Sequence, residues 1–139
     1  MMNDNSNASF DVVQKSMSTA KLRIFVVEDE ALIAMLVEDM LCDLGHEVAA
    51  VASRMDEALQ IARVGLFDLA ILDVNLDSKP SFPIADLLAA RGIPYAFSTG
   101  YGLEGRDSKY SHIPTLSKPF VTEDLAKLVS QVCKRPYPN

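Results

Sequence analysis

Leu69-Ala70-Ile71-Leu72-Asp73-Val74-Asn75 is the stretch on which the fold turns. An unbroken apolar run of this length, closed by a carboxylate, fits a strand (Leu69–Val74) buried on both faces rather than one with a wet side. The same pattern recurs on either side. Leu22–Val27 (LRIFVV) and Val48–Ala52 read as strands before it; Tyr95–Thr99 and the short Thr115–Ser117 read as strands after it. Helical spacing fills the gaps. Glu30–Leu44 sets Ile33, Leu36, Val37, Met40, Leu41 and Leu44 on an inward face and stops at Gly45. Met55–Val64 turns Ala58, Leu59 and Ala62 inward before Gly65, and Ile84–Ala90 follows Pro83 and ends at Gly92. Thr122–Cys133 carries Leu125, Leu128, Val129 and Val132 inward, with Thr122 as the expected N-cap. Apolar strands alternating with helices predict an α/β fold, an open, doubly wound, five-stranded parallel sheet with helices on both faces.

The chain has 139 residues, which suits one domain. Residues 1–20 read as a flexible N-terminal tail, 21–134 as the folded domain and 135–139 as a C-terminal tail ended by prolines. Within the first tail, Phe10, Val12, Val13 and Met17 are spaced to form part of an amphipathic turn that docks somewhere. Thirteen basic against nineteen acidic residues give a net charge of −6. That excludes nucleic-acid binding by charge and adhesion to anionic lipid as expected roles. No apolar run approaches a membrane span and no secretory signal is visible, so a cytoplasmic protein is expected. Cys42 and Cys133 match no metal-ligand spacing and are expected to be buried in their helices.

In a doubly wound sheet, ligands bind outside the carboxyl ends of the strands. Here those ends carry Glu28-Asp29, Asp73, Ser98-Thr99-Gly100 and Lys118-Pro119. Taken singly, each has a plain structural role: Asp29 or Glu30 as a helix cap, Asp73 and Thr99-Gly100 as turn residues, Lys118 as a surface charge. Taken together they place three carboxylates, a hydroxyl and an ammonium in one pocket. Clustered carboxylates repel one another unless a cation is bound. All-oxygen ligands without histidine favour Mg²⁺, held by Asp29 and Asp73, by Glu28 directly or through water, and by the backbone carbonyl of Asn75. A carboxylate beside Mg²⁺ is a competent nucleophile towards phosphorus, and Asp73 is the candidate phosphoacceptor. Lys118 and the Thr99 hydroxyl would neutralise and hold the remaining phosphoryl oxygens.

This constellation resembles the receiver domain of two-component response regulators, the chemotaxis-regulator type of fold, over about residues 21–134. The residues that carry the likeness are Glu28-Asp29, Leu72-Asp73-Val74-Asn75, Thr99 and Lys118-Pro119-Phe120, with Asp29 and Asp73 44 positions apart. The resemblance implies a flavodoxin-like strand order 2-1-3-4-5 and a cis Lys118-Pro119 peptide. It implies a phosphorelay protein whose Asp73 accepts a phosphoryl group from a sensor histidine kinase or a histidine phosphotransfer protein. Such a protein catalyses only its own phosphorylation and dephosphorylation and is not otherwise an enzyme. The segment Pro94–Gly102 resembles the Phe-Ala-Thr-Gly-x-Tyr signature of a subgroup of often free-standing receivers, with Ser98 in place of Ala and Tyr101-Gly102 reordered.

Two departures stand out. Position 115 is Thr where most receivers have an aromatic residue, so that aromatic switch is absent. The stretch Gly100–Pro114, where the family places its fourth helix, contains three glycines and no apolar stripe. A short or poorly ordered fourth helix is expected there, in a loop that orders on phosphate or Mg²⁺. Asn75 and Tyr101 occupy the positions that tune self-dephosphorylation in the family, and the bulk of Tyr101 predicts slow phosphate loss.

No DNA-binding output module follows residue 134, so the expected output is a contact with a downstream protein or onward transfer to a second histidine. The expected docking surface is the start of the first helix (Ala31, Leu32, Met35) with Pro119 and Phe120. A monomer or weak dimer suits this role. The alternatives are a phosphatase of the haloacid-dehalogenase type, which would want Asp-x-Asp after the first strand where this chain has Glu28-Asp29-Glu30, a docking-only pseudo-receiver, and a receiver fragment of a longer regulator.

Overall fold

The computed structural model describes residues 21–100 and 108–134. The readings of the two tails, of Tyr101 and of most of the loop after Gly100 lie outside the described residues. The elements in order are β1 (Arg23–Val27), α1 (Ala31–Asp43), β2 (Glu47–Ala52), α2 (Met55–Val64), β3 (Leu69–Asp73), β4 (Asn75–Leu76), β5 (Lys79–Pro80), α3 (Phe82–Ala90), β6 (Tyr95–Thr99), a 3₁₀ turn (Ser108–Tyr110), β7 (Thr115–Ser117) and α4 (Thr122–Lys134).

Five parallel strands form one sheet in the order β2-β1-β3-β6-β7. This is the expected doubly wound, flavodoxin-like arrangement. Side chains alternate across each strand, so both faces of the apolar runs find a core. Phe25, Val27, Ala70, Leu72 and Phe97 pack towards α2 and α3. Ile24, Val26, Leu69, Ile71 and Ala96 pack towards α1 and α4. Every residue of β3 is buried, which is why that run carries no polar alternation.

Two glycines stop helices by the same device. Gly45 has φ +89° and Gly92 has φ +72°, the left-handed region in which a Cβ is costly. After α1, His46 N–H donates to Leu41 O and Gly45 N–H to Cys42 O; after α3, Ile93 N–H donates to Leu88 O and Gly92 N–H to Ala89 O. Each pair is a Schellman closure, in which otherwise orphaned carbonyls are satisfied.

Several expectations are corrected. Leu36 was placed on the inward face of α1 but is 51% exposed, because α1 is apolar on more than one side and only Ala34, Val37 and Leu41 reach the buried seam. Cys42 and Cys133 are exposed rather than buried, each standing on the outward side of its helix. Thr122 is the first helical residue, not the cap. Val121 O accepts the Leu125 N–H, and the Asp124 carboxylate accepts the Val121 N–H at 3.1 Å.

The chain also holds a hairpin that periodicity did not reveal. Asn75–Leu76 and Lys79–Pro80 pair antiparallel across Asp77 and Ser78, whose φ values are +54° and +66°. Two successive left-handed residues make a type I′ turn, which matches strand twist but normally calls for Asn-Gly. Ser81 N–H donates to Val74 O, so by ladder alternation Asn75 and Pro80 face each other as a non-hydrogen-bonded pair. That explains how proline, with no N–H, is accommodated there. It also turns the N–H and C=O of Asn75 away from the hairpin, on the side of the acidic strand ends.

Candidate functional site

Parallel register lines up the strand ends. Val27 pairs with Leu72, Asp73 with Ser98, and Thr99 with Ser117. Glu28 and Asp29 therefore leave β1 next to Asp73, while Thr99 lies one step further along β6. Lys118 follows β7 directly, and its amide N–H donates to Thr99 O at 2.8 Å. The Lys118-Pro119 peptide is cis, as expected.

Lys118 is the hub. Its Nζ lies 2.7 Å from Glu28 Oε1 and 3.1 Å from Asp73 Oδ2. The second Glu28 oxygen accepts the Glu30 N–H at 3.1 Å, and Asp73 Oδ1 accepts the Asn75 N–H at 3.2 Å. Asp29 is exposed, and its Oδ2 accepts the Asp77 N–H at 2.9 Å. Neither Asp29 nor Glu30 caps α1, since no side-chain hydrogen bond closes its N-terminus.

Burial, reinforced by the neighbouring Asp73 charge, raises the Glu28 carboxyl above its usual range despite the opposing hydrogen bonds from Lys118 and Glu30. Lys118 is partly buried, which disfavours its ammonium, yet the hydrogen bond to Glu28 and the Asp73 carboxylate more than compensate and hold its pKa above the ordinary value. Lys118 is thus a fixed positive charge at neutral pH.

Ligand oxygens of Glu28, Asp29 and Asp73 lie within 4.8 Å of one another. Three carboxylates against one ammonium leave two negative charges uncancelled when all are ionised. The donor set is all oxygen, and one hard divalent ion would balance it, so these residues fit Mg²⁺. Both oxygens of Glu28 and both of Asp73 already accept a hydrogen bond, whereas Asp29 is exposed and accepts through Oδ2, so Asp29 offers the most accessible carboxylate. The Asn75 carbonyl, turned away from its hairpin, is free of the ladder.

The structure thus brings together Glu28, Asp29, Asp73, Asn75, Thr99 and Lys118. Thr99 is buried at 2% exposure, at the end of β6. Of the expected docking residues, Ala31, Leu32 (70%) and Met35 (59%) are exposed on the first turns of α1 and Pro119 is exposed, while Phe120 is half-buried. The concavity beside them is lined by other α1 side chains. A groove of about 280 Å³ runs between Ile33, Leu36, Val37 and Met40 on one wall and Lys118, Pro119 and Phe120 on the other.

Two contributors were missed in the sequence. The Asp77 amide, which holds Asp29, comes from a turn with no glycine to mark it. Leu36 was hidden by its helical spacing, although Leu32, Met35 and Leu36 form a second apolar stripe that could have exposed it.

Comparisons with known proteins agree with this geometry. No family model matches the chain. SdrG from Sphingomonas melonis Fr1 is 40% identical, with a TM-score of 0.74, covering 82% of this chain and 98% of that one. A second SdrG structure, in a BeF3-activated conformation, is also 40% identical, with a TM-score of 0.69. The transcriptional regulatory protein PdtaR of Mycobacterium tuberculosis is 30% identical over 117 residues, 81% of this chain and 57% of that protein. The phyllosphere-induced regulator PhyR of Methylorubrum extorquens is 34% identical over 115 residues, 78% of this chain and 42% of that protein. The chain spans about half the length of these curated relatives. The receiver domain of a PhyR response regulator from Erythrobacter litoralis shares the fold, with a TM-score of 0.73 at 24% identity over 86% of this chain and 95% of that one. Among the described residues, no helix is long and apolar enough to cross a membrane. With sheet order, strand-end chemistry and relatives in agreement, the chain belongs to the receiver domains of response regulators.

Proposed function

We propose that this receiver accepts a phosphoryl group on Asp73 in a Mg²⁺-dependent reaction, from a phosphohistidine of a sensor kinase or a histidine phosphotransfer protein. The observation that carries the reading is the Lys118 ammonium, shared between Asp73 at 3.1 Å and Glu28 at 2.7 Å beside Asp29. One carboxylate oxygen of Asp73 forms the new P–O bond as the P–N bond to the donor imidazole breaks. The electron pair stays on the imidazole nitrogen, which takes a proton. Lys118 is positioned to swing its charge from the Asp73 carboxylate to an equatorial phosphoryl oxygen. Thr99, tethered through its carbonyl to the Lys118 amide, supplies a hydroxyl to another. When bound, Mg²⁺ would be held by Asp29 and Asp73, with Glu28 behind, and supplies charge neutralisation at the transferring group. The chain then acts as a cytoplasmic phosphorelay component. It catalyses only its own phosphorylation and dephosphorylation, and signals by protein contact or onward transfer. The sequence around Thr99 supports placement among the Phe-Ala-Thr-Gly-x-Tyr receivers.

The test is incubation with acetyl phosphate and Mg²⁺ followed by intact mass. The wild type should gain one phosphoryl group only when Mg²⁺ is present, and Asp73→Asn should gain none. Equal labelling of both proteins, or no labelling of the wild type at saturating metal, overturns the reading.

A further inference from the structure

We propose that Asp77, at the tip of the β4–β5 hairpin, is a positioning residue for the metal ligand Asp29, and that closure of the hairpin and binding of Mg²⁺ stabilise each other. The inference rests on the receiver reading and deepens it. One short hairpin reaches two of the three clustered carboxylates through its backbone. The Asn75 N–H donates to Asp73 Oδ1 at 3.2 Å, and the Asp77 N–H donates to Asp29 Oδ2 at 2.9 Å. Asp29 and Asp77 are 48 positions apart, so the second bond ties the hairpin tip to the end of a different strand.

Asp29 needs that tie more than its neighbours do. Glu28 and Asp73 are buried and share the Lys118 ammonium, whereas Asp29 is exposed. Among the described residues its carboxylate accepts only from the Asp77 N–H, which occupies Oδ2 and leaves Oδ1 uncommitted. A carboxylate held by an outer hydrogen bond meets a cation already oriented, and less freedom is lost on binding.

The hairpin in turn depends on its tip. Its strands are two residues each, and Leu76 is the one buried residue of Asn75–Pro80. Asp77 and Ser78 both carry a side chain in the left-handed region, at φ +54° and +66°. So small a hairpin is marginal without outside support. Leu76 and the Ser81 N–H to Val74 O bond hold its base, and Asp29 holds its tip. A cation that fixes Asp29 therefore favours closure, and closure tightens the cation by the same factor.

Amide exchange of the full chain, followed by NMR with Mg²⁺ alone as the probe, tests the coupling. Short labelling times isolate local opening of the Asp77 amide from global unfolding. If only the closed hairpin binds, exchange at Asp77 should slow about elevenfold at a Mg²⁺ concentration of about ten times Kd. Asp77→Pro removes the donor and forbids the positive φ, and should weaken Mg²⁺ binding roughly tenfold. Asp77→Asn keeps the amide and tolerates the turn while removing the exposed charge, and at moderate salt it should bind close to wild-type affinity. Far-UV circular dichroism checks that Asp77→Pro remains folded; if it does not, the exchange measurement on the wild type decides. An Asp77 amide that Mg²⁺ leaves unprotected, or equal weakening in the Asn and Pro variants, overturns the positioning role while the receiver reading stands. A wild type that binds no Mg²⁺ overturns both.

Discussion

Replacing Lys118 with methionine isolates the electrostatics of the site from its chemistry. Methionine keeps most of the aliphatic stem but removes the charge that Glu28 and Asp73 share. Glu28 is the residue that suffers, because it is 2% exposed and water cannot replace its partner. Breaking a buried pair from one side costs about 3–5 kcal/mol if the orphaned charge persists. The carboxyl has an escape, which is to bind a proton. From an ordinary value of 4.5, holding that proton costs about 1.4 kcal/mol per pH unit, which caps the Glu28 penalty near 3.5 kcal/mol at pH 7 and about 1.4 at pH 5.5. For a folded body of this size the neutral-pH loss corresponds to a fall in Tm of roughly 10 °C. The sign is fixed. A carboxyl whose folded pKa lies above its unfolded value favours the fold at low pH and loses that advantage as pH rises through the folded value. The deficit of Lys118→Met should therefore grow from pH 5 to 7 and shrink when Mg²⁺ is added. Thermal melts of both proteins across that range, with and without Mg²⁺, provide the assay. A variant as stable as the wild type at pH 7, or a deficit that ignores pH, would refute the reasoning.

Other outcomes follow from neighbouring contacts. Asp29→Asn keeps an acceptor for the Asp77 N–H but removes one of three crowded carboxylates. It should raise the metal-free Tm modestly while erasing the rise that Mg²⁺ gives the wild type; a preserved Mg²⁺ increment contradicts the assignment. Ser78→Gly relieves a left-handed φ of +66° and should stabilise by about 0.5–1 kcal/mol in urea unfolding, whereas a destabilised variant would mean that the serine side chain matters more than the turn. Burial lowers the His46 pKa below 6.5, and its Nδ1 accepts the Leu22 N–H. The neutral ring belongs to the folded state, so this contribution is present above pH 6.5 and is lost as pH falls through the folded value. His46→Asn should flatten the stability slope just below pH 6.5, and an unchanged slope would assign it to other groups.

The sheet was legible because β3 and β6 are buried end to end, and a strand with no wet face leaves an unmistakable apolar run. The candidate site was legible for a related reason: the acids and the threonine each end a largely buried run, whereas Lys118 follows the short, half-exposed β7 and was marked by the proline after it. The β4–β5 hairpin was not. Two-residue strands are too short to show a period, and Asp77-Ser78 reaches its turn without the glycine that normally marks one. Helix faces were the other weak point. On α1 the apolar residues extend past the buried seam, so spacing could not tell Leu36, which lines a groove, from Val37, which fills the core. Thr122 misled because a nearby aspartate, Asp124, supplies the cap from inside the helix.

The bond from the Lys118 amide to the Thr99 carbonyl has an evolutionary corollary. Two of the groups assigned to the phosphoryl oxygens hang from one backbone rung, although a long excursion of chain separates them in sequence. Mutation can lengthen, shorten or rewrite that excursion while the rung keeps the hydroxyl and the ammonium in alignment.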